Sequence, residues 1–151
     1  MHVVDVSLGQ RSYPIRIETQ KTLGLQKLGS HCRKLGLGAR CAIITDATVA
    51  RHYAGIVEKS LRSAGFQPAL VTLPAGEKTK SLRVAQSCYD QLACQRLERK
   101  SFVVALGGGV IGDLAGFVAA TYLRGIPFVQ VPTTLLAQVD SSVGGNYKRT
   151  R

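Results

Sequence analysis

The 151-residue sequence is poor in acidic and aromatic side chains, with nine Asp and Glu against twenty Lys and Arg and only 6% aromatic residues. The resulting net charge of +11 first indicates a nucleic-acid partner. The basic residues are spread over several segments, however, and neither interleaved aromatic residues nor a recognised nucleic-acid motif accompanies them. We therefore expect no specific nucleic-acid partner, and we interpret the charge as solvated surface that in part serves an anionic ligand.

Long apolar runs are also missing from the sequence. No run reaches the roughly 18–20 apolar residues that a membrane span requires. The segment 1–10, MHVVDVSLGQ, has neither the basic start nor the apolar stretch of a secretory signal. We expect no membrane association and a cytoplasmic location.

Cysteine and histidine residues are few and scattered. No two of the four cysteines form a C-x-x-C pair, and the three histidines lie far from any cysteine doublet. This spacing is not that of a zinc site. We expect free, partly buried thiols at Cys32, Cys41, Cys88 and Cys94, and no metal site in this chain.

The apolar pattern predicts strands that alternate with helices from residue 21 onward. Two β-like runs, 2–8 and 13–18, flank GQRS and predict a hairpin. The next strands are CAIIT, PALVTL, SFVVAL and PFVQV, and Asp46 after CAIIT is expected to cap a helix. Helix faces are marked by Leu25, Leu28, Cys32 and Leu35, by Val49 to Ala64 before Gly65, and by Leu82, Ala85, Cys88, Tyr89 and Leu92. The order predicts an α/β fold, a Rossmann-like open and mostly parallel sheet with helices on both faces and an amino-terminal β-hairpin.

The stretch LGGGVIGD, residues 106–113, is the most informative glycine cluster. Gly107, Gly109 and Gly112 fit G-x-G-x-x-G directly after a predicted strand, a pattern that binds a diphosphate at a helix start. The acidic residue expected about 20 positions later to hold a ribose is missing from GIPFVQVPTT. Either the ribose is held elsewhere, or the glycines only allow tight packing between strand and helix.

Asp113 is a lone carboxylate on an otherwise apolar helix segment. Such a group requires a partner, since an unpaired charge is costly to bury. The partner is either an internal Lys or Arg, or a hydroxyl or amide of a ligand.

Two more loops carry polar residues where predicted strands end, the edge at which open parallel sheets bind ligands. Glu77 and Lys80 in PAGEKTKS are able to present an acceptor and a donor together, or they only mark a helix start. Thr133 and Thr134 stand at a helix start, where hydroxyl groups either cap or bind anions. Asp140 follows Thr133 two helical turns later on the same face.

The motifs PAGEKTKS, ALGGGVIGDLAGFVAATYLRGI and VQVPTTLLAQVDSSVGG together resemble the amino-terminal, nucleotide-binding half of the 3-dehydroquinate synthase family. The resemblance runs from about residue 2 to Gly145. It implies one NAD-binding α/β domain over residues 1–145, followed by a divergent basic tail over 146–151. For the complete enzyme it also implies a sugar-acid phosphate substrate and a homodimer.

The resemblance also implies roles for individual residues. The adenosine end of NAD would lie against Asp46 and the loop 75–80. Its pyrophosphate would lie against residues 108–112, and its nicotinamide side against Asp113. Asp140 would lie beside the substrate, and Arg124 would reach the substrate phosphate of the neighbouring subunit. The implied cofactor-binding residues are Asp46, Ala75, Gly76, Glu77, Lys78, Thr79, Lys80, Gly108, Gly109, Val110, Ile111, Gly112, Asp113, Thr133 and Thr134.

The reaction implied by the resemblance belongs to the shikimate pathway of aromatic amino acid biosynthesis. It converts 3-deoxy-D-arabino-heptulosonate 7-phosphate to 3-dehydroquinate by NAD-dependent phosphate elimination and cyclisation, with a zinc or cobalt ion that polarises the oxidised hydroxyl. The family's lysine after SSVGG is replaced by Asn146, and the sequence lacks the carboxyl-terminal domain that carries the metal ligands, one Glu and two His. We therefore expect no activity from this chain by itself.

Two other interpretations stay open. A polyol or iron-dependent alcohol dehydrogenase relative shares the glycine loop and the threonines, although Arg124 with VDSSVGG favours the synthase. A non-catalytic nucleotide-binding module is the other alternative.

Overall fold

The fold has two sheets, and the computed structural model describes residues 2–9, 12–18 and 21–140. The predicted hairpin forms, with β1 (His2–Val6) antiparallel to β2 (Tyr13–Ile17). The larger sheet contains β3 (Arg40–Asp46), β4 (Gln67–Leu73), β5 (Phe102–Gly107) and β6 (Phe128–Pro132). Its strands are all parallel in the order β4-β3-β5-β6, which confirms the predicted α/β sheet.

Helices connect the strands. They are α1 (Lys21–Lys34), α2 (Ala47–Val49), α3 (Gly55–Ser63), α4 (Leu82–Cys94), α5 (Gly109–Thr121) and α6 (Leu135–Val139). A π-helical segment (Ala50–Ala54) joins α2 to α3, and 3-10 turns occupy Glu77–Thr79 and Tyr122–Arg124. Within the described ranges, no helix is long and apolar enough to cross a membrane.

The sheet has a separate core on each face. Because side chains alternate along a strand, β3 directs Ile43 to one core and Ile44 to the other. Helices α1 and α3 cover the Ile43 face, where Phe66 meets Phe102 edge-on at a ring separation of 5.1 Å. Helices α4 and α5 cover the Ile44 face. The central strands are buried on both sides, which explains why their sequences are apolar throughout.

Two positions that the periodicity placed on buried helix faces are exposed, so this part of the prediction is wrong. Leu35 is 55% exposed because α1 ends at Lys34 and the chain turns at Gly36, where φ is +65°. Leu82 is 78% exposed as the first residue of α4, directly after the Ser81 cap. Both lie at helix ends, where the apolar period no longer reports a packed face.

The cysteines agree with the prediction of free, partly buried thiols. Cys32, Cys41 and Cys88 are buried, Cys94 is exposed, and all four are free. Burial raises the pKa of Cys32 and Cys88 to about 11 and that of Cys41 to about 12. These three thiols are therefore protonated at neutral pH and behave as small apolar side chains.

Candidate functional site

The candidate residues converge at the carboxyl edge of the four-stranded sheet. The chain first adds β4 on one side of β3 and then crosses to place β5 on the other side. The crevice beyond the ends of β3 and β5 is thus a topological switch point, where open α/β sheets bind ligands. Asp46 ends β3 and Gly107 ends β5, so the cap residue and the glycine loop flank this crevice.

The three consecutive glycines differ in the space that surrounds them. At Gly107 an added Cβ would lie 2.6 Å from the Cβ of Ile111, so this glycine is required for strand–helix packing. At Gly108 the Cβ would lie 3.1 Å from Cγ2 of Thr134. At Gly109 it would meet no described atom within 4 Å. Packing therefore explains Gly107 and leaves Gly109 unexplained, since the space beside it is open.

The amino terminus of α5 is uncapped, unlike its neighbours at the same edge. Ser81 caps α4 and Thr134 caps α6 with their hydroxyl groups, whereas α5 starts at Gly108 with no side-chain cap. Its first intrahelical bond is donated by the N–H of Gly112 to Gly108, 2.9 Å away. The N–H groups of residues 109–111 are left as donors, with the partial positive charge of a helix start. An open approach to such donors is what a phosphate oxygen requires.

Lys80 forms two ion pairs beside this helix start. Its Nζ lies 2.9 Å from Oδ2 of Asp113 and 3.1 Å from Oε1 of Glu77. Hydrogen bonds to Asp113 and then to Glu77 raise the pKa of Lys80 above its usual range. Asp113 thus has an internal lysine partner, the first of the two alternatives for this carboxylate. The sequence did not predict which lysine, although a charged loop and a lone carboxylate at one sheet edge are the signal for such a pair.

The loop that carries Lys80 is anchored by its own side chains. Oγ1 of Thr79, a residue only 2% exposed, donates to the carbonyl of Pro74 at 2.6 Å. Gly76 has φ +108°, a conformation that favours glycine. Ala75, Gly76, Glu77 and Lys78 are exposed. The loop therefore offers exposed polar groups at the crevice on a fixed backbone, with Thr79 acting as its anchor.

The other predicted positions at this edge serve as helix caps. Oδ1 of Asp46 accepts from the N–H groups of Thr48 at 2.8 Å and Val49 at 2.9 Å, which confirms the predicted cap. Thr134 Oγ1 accepts from the N–H of Ala137 at 3.2 Å. The N–H of Thr133 donates to the carbonyl of Gly107 at 3.0 Å and joins the exit of β6 to the glycine loop. Val110 is half-buried, while Ile111 is buried beneath Gly107 and presents only its backbone.

The two predicted substrate residues lie apart from each other. Arg124 follows the 13 residues of α5, about 20 Å of helix, and so lies at the amino edge of the sheet. It is exposed with φ +68°, and the preceding Leu123 also has a positive φ of +49°. Asp140 is exposed just after α6, which ends at Val139, so no continuous two-turn helix joins it to Thr133. The predicted replacement at Asn146 and the tail 146–151 lie outside the described residues.

A metal site does not emerge from this geometry. Within residues 2–9, 12–18 and 21–140, no three His, Cys, Asp or Glu side chains group closely enough to hold a metal ion. The zinc or cobalt ion that the motifs implied for the complete enzyme therefore does not fit the described part of the chain.

Comparison with known sequences identifies one family. A profile for the 3-dehydroquinate synthase N-terminal region matches residues 70–148, more than half of the chain. The 3-dehydroquinate synthase of Enterococcus faecalis is 56% identical over 140 residues, covering 93% of this chain and 38% of that protein. That of Geobacter metallireducens is 57% identical over 145 residues, covering 96% and 39%. The chain spans about two fifths of the length of these curated relatives.

Comparison with solved structures finds the same fold in synthases and dehydrogenases. The complex of 2-deoxy-scyllo-inosose synthase with carbaglucose-6-phosphate, NAD+ and Co2+ has a TM-score of 0.82 at 22% identity, covering 93% of this chain and 38% of that chain. ValA, a 2-epi-5-epi-valiolone synthase from Streptomyces hygroscopicus with NAD+ and Zn2+ bound, has a TM-score of 0.68 at 30% identity, covering 78% and 33%. The NADH-dependent butanol dehydrogenase A of Thermotoga maritima has a TM-score of 0.61 at 17% identity, covering 72% and 30%.

Proposed function

The chain belongs to the 3-dehydroquinate synthase family, and from this premise we propose that its carboxyl edge is the NAD-binding site of such a synthase. The observation that carries the proposal is the start of α5, where uncapped N–H groups face an open approach at Gly109. Two solved structures of similar fold, the inosose synthase and ValA, contain NAD+. Their similarity supports the cofactor, while the residue assignments below are our own.

The polar groups of the crevice fit the parts of NAD. The N–H groups of residues 109–111 would hold the pyrophosphate, since helix starts favour anions. The exposed carboxylate of Glu77 would accept from an adenosine ribose hydroxyl, as would Asp46 with lone pairs that its capping bonds leave free. The Oδ1 atom of Asp113 would accept an N–H of the nicotinamide amide, while Oδ2 stays on Lys80. When bound, NAD supplies a reversible hydride acceptor.

The complete activity that we propose is conversion of 3-deoxy-D-arabino-heptulosonate 7-phosphate to 3-dehydroquinate with release of phosphate. This domain would contribute the cofactor site. We derive no step through a metal, because the described residues offer no metal site. We also propose that Arg124 serves the substrate phosphate of a second subunit, supported by its exposure at the edge opposite the crevice.

NAD titration of the chain, followed through its backbone amides by NMR, tests the cofactor assignment. We expect saturable shifts of amides in the loops 46–48, 76–80 and 108–113, because these line the crevice. The β1–β2 hairpin provides the internal control, because it contributes no residue to the crevice and a general electrostatic effect of the dinucleotide would shift its amides as well. Absence of saturable shifts in the three loops, or equal shifts in the hairpin, would contradict the proposal.

A chimera tests the reaction. Residues 1–140 would replace the matching part of the Enterococcus faecalis synthase, to which the chain is 56% identical. We expect steady phosphate release from the sugar-acid phosphate, dependent on NAD and without accumulation of NADH. The matched control carries Asp113→Asn, which should slow turnover. NADH accumulation without phosphate release would instead favour a dehydrogenase, whose fold the chain shares.

A further inference from the structure

A cavity lies at the amino edge of the sheet, opposite the crevice proposed to bind NAD. It has a volume of about 300 Å³ and is bounded by the starts of β3 and β4 and the ends of α3 and α4. Three arginines line it, Arg40, Arg62 and Arg96, and no acidic residue is among its lining residues. The family assignment and the proposed NAD site make no use of this cavity.

The guanidinium groups of the cavity keep most of their donors unused. Nη1 of Arg40 donates to the carbonyl of Arg96 at 3.0 Å, and Nη2 of Arg62 donates to that of Pro68 at 3.5 Å. Arg62 is also 3.8 Å from Glu58 at the exposed surface. The guanidinium of Arg96 has no hydrogen bond or ion pair with any described residue. Because each guanidinium has five N–H donors and stays charged, the cavity holds both positive charge and unused donors.

Arg96 occupies a backbone position that this chain elsewhere gives to glycine. After α3, Gly65 has φ +89°, its N–H donates to Arg62, and the N–H of Phe66 donates to Leu61. After α4 the same two backbone bonds form: the N–H of Arg96 donates to the carbonyl of Ala93, and the N–H of Leu97 donates to the carbonyl of Leu92. Here, however, the residue with positive φ is Arg96, at +55°, and not a glycine. Glycine is favoured in this helix-ending motif because other residues are strained there.

Helix-end electrostatics explain only part of this arrangement. A cation near a helix carboxyl terminus is favourable, and Arg62 in the last turn of α3 is such a residue. That effect does not require an arginine in a strained conformation, nor a third arginine at the start of β3. Positive charges grouped around one cavity repel each other, and a bound anion relieves that repulsion.

We propose that the cavity lined by Arg40, Arg62 and Arg96 binds a small phosphate-bearing anion. A tetrahedral phosphate offers enough oxygens to accept from several guanidinium groups at once, whereas a carboxylate is satisfied by one guanidinium fork. The guanidinium groups of Arg40 and Arg62 are each held by a bond to a backbone carbonyl, which lowers the ordering cost of binding through their remaining donors. The site is independent of the proposed NAD function.

NMR titration at constant ionic strength tests the proposal, with inorganic phosphate as one probe and glycerol 3-phosphate as the other. We expect saturable shifts of the amides of Gln67, Gln95 and Leu97, and the tighter probe shows whether free phosphate or a phosphate ester suits the cavity. Arg62→Gln and Arg96→Gln should each weaken binding about tenfold. The matched control is Arg99→Gln, which removes the same charge from an exposed position outside the cavity lining.

Arg96→Gly separates binding from folding, because glycine removes the backbone strain together with the guanidinium. We expect its thermal midpoint to be no lower than that of the original chain, while phosphate affinity falls as in Arg96→Gln. The proposal is wrong if the shifts stay linear in phosphate. It is equally wrong if Arg62→Gln and Arg96→Gln change affinity no more than Arg99→Gln does.

Discussion

The two edges of the four-stranded sheet differ in how they treat charge and backbone strain. At the carboxyl edge, Lys80 is balanced by Glu77 and Asp113, and a helix start is left uncapped beside Gly109. At the amino edge, arginines gather around a cavity without an acidic lining residue, and Arg96 and Arg124 both have positive φ. One edge offers open backbone donors, whereas the other offers arginine side-chain donors, of which Arg96 has a strained backbone.

If both proposals hold, the parallel sheet sets the edges at which ligands bind, and the loops at each edge set which chemistry is bound. Backbone N–H groups and paired carboxylates fit an elongated, partly neutral dinucleotide, which needs acceptors as well as donors. A cavity lined by three arginines and by no acidic residue favours an anion. Strained non-glycine residues cluster at functional sites. Among the described residues, those with positive φ are Arg96, Leu123 and Arg124, which all follow helices, and the two arginines lie at the amino edge.

The largest expected effect on stability is that of Gly107→Ala, which disrupts the packing of strand against helix at the carboxyl edge. Gly107→Ala places a Cβ 2.6 Å from that of Ile111, so we expect a loss of about 3 kcal/mol in the free energy of unfolding. Gly109→Ala should cost nothing, because its Cβ meets no described atom. Urea unfolding of both variants measures the difference. Equal losses would show that Gly109 is also a packing glycine.

The next effect concerns the ion pairs of Lys80. Lys80→Met leaves the carboxylates of Glu77 and Asp113 unpaired beside the proposed phosphate site, so NAD affinity should fall about tenfold. Stability should change by less than about 1 kcal/mol, because these pairs are partly exposed. Lys78→Met is the control, since it removes the same charge from the same loop without an ion pair to a described residue. Equal losses in both variants would reduce the role of Lys80 to net charge.

Asp113→Asn separates the two ends of the cofactor. We expect it to weaken NAD several-fold relative to ADP-ribose, because only NAD carries the nicotinamide amide that Asp113 would bind, while any change in local charge affects both ligands alike. Calorimetry with both ligands gives the ratio of the affinities. A parallel loss for both ligands would place Asp113 away from the nicotinamide end.

Much of the carboxyl edge could be predicted from the sequence. CAIIT is a buried strand because both of its faces are covered, and Asp46 is a cap because a short acceptor precedes a helix. Three features could not be predicted. The sequence pattern does not distinguish Gly107 from Gly109, because their difference depends on Ile111 across a turn. Lys80 and Asp113 meet through space from separate elements. A glycine such as Gly65 indicates a positive φ in the sequence, whereas the arginine at position 96 does not.

Asp46 gives a smaller effect that distinguishes capping from charge. Asp46→Ala should cost about 1 kcal/mol of stability, since the N–H groups of Thr48 and Val49 lose their acceptor. Asp46→Asn should keep that stability, because asparagine caps equally well. If the carboxylate also holds a ribose hydroxyl, both variants weaken NAD. Asp46→Asn with the NAD affinity of the original chain would restrict Asp46 to capping.

The smallest expected effect is a pH dependence of the free energy of unfolding, caused by His31 in α1, which lies close to several positive charges. Burial first, and then the positive charges of Arg16 and Lys34, lower the pKa of His31 below 6.5. Because the folded chain binds this proton less readily than the unfolded chain, protonation of His31 favours unfolding. The contribution of neutral His31 to stability is therefore complete above pH 6.5 and decreases as the pH falls below that value. His31→Gln should flatten this part of the stability profile. An unchanged profile would mean that other groups cause it.

The central claim is that Gly109 is open for a cofactor, and NAD calorimetry on matched valine variants tests it most directly. Gly109 and Gly55 both lie in helices, and an added Cβ meets no described atom at either position. Gly55→Val should bind NAD as the original chain does. Gly109→Val should stay folded and lose more than about 100-fold in affinity, because its side chain occupies the approach to the helix start. Equal affinities for the two folded variants would contradict the account.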